Sequence, residues 1–87
     1  MKVENLNGYA NQFVIYDNEG VTFQSYNSKI ATEDKEGNLK VFSDWEYSKN
    51  TMRHFKRFIN EETSFNYVDS KQWRKEMKEN TRTEEVL

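Results

Sequence analysis

The sequence predicts an α+β domain: a four-stranded antiparallel β-meander, one amphipathic helix packed on it, and a second C-terminal helix at the margin. Three observations predict it. Apolar side chains follow a period of two between residues 12 and 44. Two turns in that stretch each carry Asp-x-Glu-Gly, at 17–20 and 34–37. From residue 48 onward the apolar spacing becomes helical. A length of 87 residues suits a single domain and leaves no room for a second core.

Residues 1–11 are rich in Asn, with Gly8 among them, and read as an irregular lead-in. From Gln12, Phe13 and Ile15 point one way and Val14 and Tyr16 the other. Both sets are apolar, which predicts a strand covered on both faces. A type I turn ending in left-handed Gly20 would close a bulged hairpin onto Val21–Tyr26. Lys29–Glu33 reads as a third strand around Ile30, and Leu39–Ser43 as a fourth after the turn at Gly37. Ser48 then serves as an N-cap for a helix over 48–61, with Met52, Phe55, Phe58 and Ile59 on one side and Arg53, Lys56 and Arg57 on the other. Asp69 and Gln72 match a capping box, and Val68 and Trp73 a hydrophobic staple, for a second helix over 70–82. Residues 83–87 read as a frayed tail.

Composition bounds the chemistry. Hydrophobic residues make up 34% of the chain and charged residues 32%, yet aromatics reach 15%. Six Phe, five Tyr and two Trp argue for a thin, aromatic-weighted core rather than a disordered chain. No stretch approaches a membrane span or a signal peptide, which places the expected location in the cytoplasm. The absence of cysteine excludes disulfides and thiolate metal sites, and the single histidine, His54, leaves zinc without a ligand set. His54 reads as a helix residue between the apolar and basic faces. No nucleophile elbow, Gly-rich phosphate loop or calcium-loop spacing is present, so no enzyme activity, metal or cofactor is expected.

Two surfaces remain as candidates. Residues 1–47 hold 4 basic and 8 acidic groups, net −4, whereas residues 48–87 hold 9 basic and 7 acidic, net +2. Arg53, Lys56 and Arg57 on the first helix, and Lys71, Arg74, Lys75 and Lys78 on the second, are candidate nucleic-acid contacts. Interleaved Glu61, Glu62, Glu76 and Glu79, with a pI of about 5.4, argue more strongly for solvated helix faces, ahead of nucleic acid and then of an acidic protein partner. An inner layer of Phe13, Ile15, Phe23, Phe42, Phe55 and Ile59 leaves Tyr and Trp residues over. Of these, Tyr26, Trp45, Tyr47, Tyr67 and Trp73 are candidate protein-binding anchors.

The runs Phe23-Gln24-Ser25-Tyr26-Asn27-Ser28-Lys29-Ile30-Ala31 and Trp45-Glu46-Tyr47-Ser48-Lys49-Asn50-Thr51, with Ala10–Ile15, resemble a family of small proteins from phages and mobile elements of Gram-positive bacteria. The resemblance covers roughly residues 8–60. It implies an accessory phage protein acting inside the host cell, and it brings no catalytic residues with it. The expected function is a non-enzymatic binding protein that blocks or modulates a host or phage protein, for host takeover or against a defence. The alternative is a nucleic-acid accessory protein using the basic helix faces. Ser25, Ser28, Trp45 and Tyr47 also make sense as fold determinants at the strand break and the sheet-to-helix corner.

Overall fold

The computed structural model describes residues 1–46 and 48–82. The chain forms β1 (Lys2–Asn5), a 3₁₀ turn at Leu6–Gly8, β2 (Gln12–Asp17), β3 (Gly20–Ser25), β4 (Ser28–Asp34) and β5 (Leu39–Phe42). These five strands run antiparallel in chain order, one more than the sequence predicts. The extra strand is β1, in the stretch read as an irregular lead-in. All four of its residues are exposed, so it carries no apolar alternation to betray it; backbone pairing to β2 sets it, with Val3 opposite Ile15 and Asn5 opposite Phe13.

A 3₁₀ turn at Ser43–Glu46 leads through Ser48 into α1 (Lys49–Glu62), and α2 (Ser70–Asn80) follows. The second helix stops before the predicted residue 82. Thr81 turns extended and, with Arg82, pairs parallel to β5 as a two-residue β6. Residues 83–87, read as a frayed tail, lie outside the described residues. Ser48 caps α1 as expected, its side chain accepting from the Thr51 N–H. Asp69 caps α2 through the Lys71 N–H. The capping box and staple do not form. Gln72 donates to Glu76 instead of reaching back, and Val68 is 93% exposed.

The first hairpin is tighter than predicted, with Asp17 paired directly to Gly20 across Asn18–Glu19. Gly20 has φ 141°, and a Cβ there would stand 2.1 Å from the Glu33 carbonyl oxygen on β4. The bulge lies elsewhere: pairing shifts between Phe23 and Gln24, leaving Ile30 as the extra residue on β4.

Helix α1 lies over one face of the sheet. Phe55, Phe58 and Ile59 are fully buried there, and Phe23 stacks on Phe58 and Phe55 at ring distances of 5.4 and 6.2 Å. Val14, Val41, Ile30 and Leu39 complete the inner layer. Phe13, Ile15 and Phe42, expected inside, are half-buried and lie outside this cluster. Both faces of β2 are apolar, so alternation alone could not choose the phase.

Candidate binding site

The two runs that carry the family resemblance meet in space. Ser25 closes β3 and its Oγ lies 3.3 Å from Thr51 Oγ1 on α1. Ser48 Oγ donates to the same Thr51 oxygen at 3.2 Å. This hydroxyl relay fastens the start of α1 to the end of β3. Beside it opens a cavity of about 460 Å³, lined by Ser25–Ser28 and Ile30 on one side and Ser48, Asn50 and Thr51 on the other. None of these side chains is charged, so the site suits neutral hydrogen-bonding groups.

Tyr26 stands at its edge, half exposed, with φ 56°. Few bulky residues adopt that left-handed backbone. Tyr26 is held in it by its N–H donating to Asn11 O at 2.7 Å and by Gln24 Nε2 donating to its carbonyl at 2.9 Å.

A second concavity, about 520 Å³, lies between the helices. Lys49, Arg53 and Lys56 come from α1, Ser70 and Arg74 from α2, with Met52 and Trp73 as the apolar part. Lys56 Nζ donates to Ser70 Oγ at 2.8 Å and ties the two helices together. Lys71, Arg74, Lys75 and Lys78 line an adjoining hollow along α2. The basic faces predicted on separate helices are therefore joined. Arg57 is not part of this groove: it pairs with Glu61 at 3.9 Å and lies over the Tyr9 ring. Lys78 reaches Glu46 at 3.7 Å.

Of the five aromatic anchors expected, Tyr26 projects from the surface. Trp45 and Trp73 do not; they are 1% and 3% exposed. Their rings cross edge to face at 5.5 Å, each also against Phe55, and Trp45 Nε1 donates to Thr81 Oγ1 at 2.8 Å. Tyr67 is half-buried and donates to Glu76 at 2.7 Å; burial, then that carboxylate, pushes its pKa up to about 12. Tyr47 lies outside the described residues.

His54, read as a boundary position, is buried under the Tyr9 ring at 4.6 Å, and its Nδ1 has no partner. Burial, followed by Arg53 and Arg57, lowers its pKa below the usual histidine value. Tyr9 comes from a loop, so nothing on the helical wheel announced this contact. Asn27 and Asn50 were also missed as lining residues. Their only signal was two separate groups of small polar side chains, Ser25, Asn27 and Ser28 at the strand break and Ser48, Asn50 and Thr51 at the helix cap. Among the described residues, no group of three or more His, Asp or Glu is gathered closely enough to hold a metal ion.

A family model described as a family of unknown function, DUF8033, matches residues 1–76. The chain belongs to that family. The match reaches past the stretch of roughly 8–60 that carried the resemblance, taking in β1 and the first part of α2. Both the Tyr26 cavity and the inter-helix groove fall within it. No curated protein and no solved structure matches the chain.

Proposed function

We propose that this chain is a non-catalytic binding protein that docks onto a host or phage protein in the bacterial cytoplasm, with Tyr26 as its projecting anchor. One observation carries the reading: an aromatic residue occupies a strained turn position beside a neutral polar cavity. Strain of this kind costs on the order of 1–3 kcal/mol. Glycine would hold the same backbone without it. The Tyr26 side chain lies outside the core cluster, so core packing does not offset the strain. A half-exposed tyrosine with hydrogen-bonding neighbours has the make-up of an interface hot spot. The phage setting follows from the resemblance of the same two runs.

Affinity capture from host lysate tests this. The folded chain recovers a stoichiometric partner, and Tyr26→Gly, equally well folded, does not. Capture that is unchanged by Tyr26→Gly, or no capture by either protein, overturns the proposal.

A further inference from the structure

We propose that the groove between α1 and α2 is a second binding site, and that it takes an acidic, amphipathic segment of a protein partner. It shares no lining residue with the Tyr26 cavity and does not depend on it.

Charge is the first argument. Lys49, Arg53, Lys56 and Arg74 line the groove together, and no carboxylate lines it. Among the described residues none of the four makes an ion pair. Arg53 donates to the neutral Asn50 and Lys56 to the neutral Ser70. Four like charges in one concavity repel one another and focus a positive potential, which an anionic occupant relieves. The second observation is a reporter in the wall. Trp73, which forms part of the groove wall, has a buried indole N–H with no acceptor. The other indole N–H, on Trp45, is bonded to Thr81.

The remaining lining selects the class of polyanion. Met52, half-buried on α1, gives the groove an apolar part, on which a partner's leucine or phenylalanine can rest between flanking carboxylates. A nucleic-acid strand would need exposed rings to stack on, and Trp73 is 3% exposed. A short acidic segment of a protein needs no such rings.

The test uses the full chain with three labelled probes: a peptide placing Glu pairs around Leu and Phe at helical spacing, the same peptide with Gln for Glu, and an oligothymidylate strand. The Glu peptide binds at low salt and weakens as salt is added, while the Gln peptide does not bind. Joint reversal by Arg53→Glu and Arg74→Glu lowers its affinity at least about tenfold. The milder Lys56→Gln with Arg74→Gln weakens it less. In NMR titration of the parent chain the Trp73 indole N–H resonance shifts more than that of Trp45, and the dispersion of both resonances without peptide shows that each variant is folded. Tyr26→Gly leaves peptide binding unchanged, so failure of one site is distinguishable from failure of the other. Equal binding of the Gln peptide, no binding of the Glu peptide, or tighter binding of oligothymidylate with the same charge-reversal loss each overturns the proposal.

Discussion

Two side chains hold positions that their own chemistry disfavours. Tyr26 adopts φ 56°, a left-handed conformation that costs an L-residue on the order of 1–3 kcal/mol relative to glycine. Glycine gains more freedom when unfolded, which offsets part of the benefit. Urea unfolding of Tyr26→Gly therefore shows a stability equal to the parent or higher by up to about 1 kcal/mol. The second residue is His54, buried with an unpartnered Nδ1 and flanked on its own helix by Arg53 and Arg57. Its folded-state pKa lies below that of the unfolded chain, so the unfolded state binds the extra proton first. Stability is highest above about pH 6.5 and falls as the pH drops below it. In His54→Gln that decline is reduced, as measured by urea midpoints on either side of pH 6.5. Neither residue was fully legible. The sequence marked Tyr26 as a candidate without showing its backbone, and it placed His54 on the right helix without the Tyr9 ring that buries it.

Among the elements, α1 was the most legible, because four apolar positions on one face and a serine before them admit one reading. That cap is testable. Ser48→Ala removes the acceptor for the Thr51 N–H and one arm of the relay to Ser25, and costs about 1 kcal/mol in thermal or urea unfolding. The start of α2 was misread in a specific way. Val68 was expected to pack on Trp73, but Asn60 brackets Tyr67 instead, donating to its carbonyl and accepting from its N–H. Ser64 is meanwhile fixed by Glu33 through both its N–H and its hydroxyl. These side-chain contacts turn Tyr67 inward and Val68 outward, and no local pattern encodes them. Strand β1 was invisible for a different reason: an exposed edge strand needs only backbone partners, and its residues are free to be polar.

For the whole molecule, the sequence divides aromatics into inner Phe and outer Tyr and Trp, and the structure redraws that line. Phe13 and Phe42 move outward, whereas Trp45 and Trp73 close the core where the sheet, α1 and α2 meet. The cavity that accepts Trp45 is completed by residues 28 positions further along the chain, beyond the reach of any periodicity. So small a core concentrates its stabilisation in a few rings. Phe55 touches Phe23, Trp45 and Trp73, and Phe55→Ala is expected to cost about 3–5 kcal/mol, much of the stability of a domain this size. Calorimetry on the variant checks it, with a large fall in melting temperature expected. The crossing of the two indoles also has an optical consequence. They are the chain's only tryptophans, and they come from a turn and a helix that meet when the second helix docks. Tryptophan emission therefore reports on the closing of one corner, where the turn at Ser43–Glu46, α1 and α2 meet. A refolding experiment followed by that signal times the closing of that corner rather than the formation of the sheet.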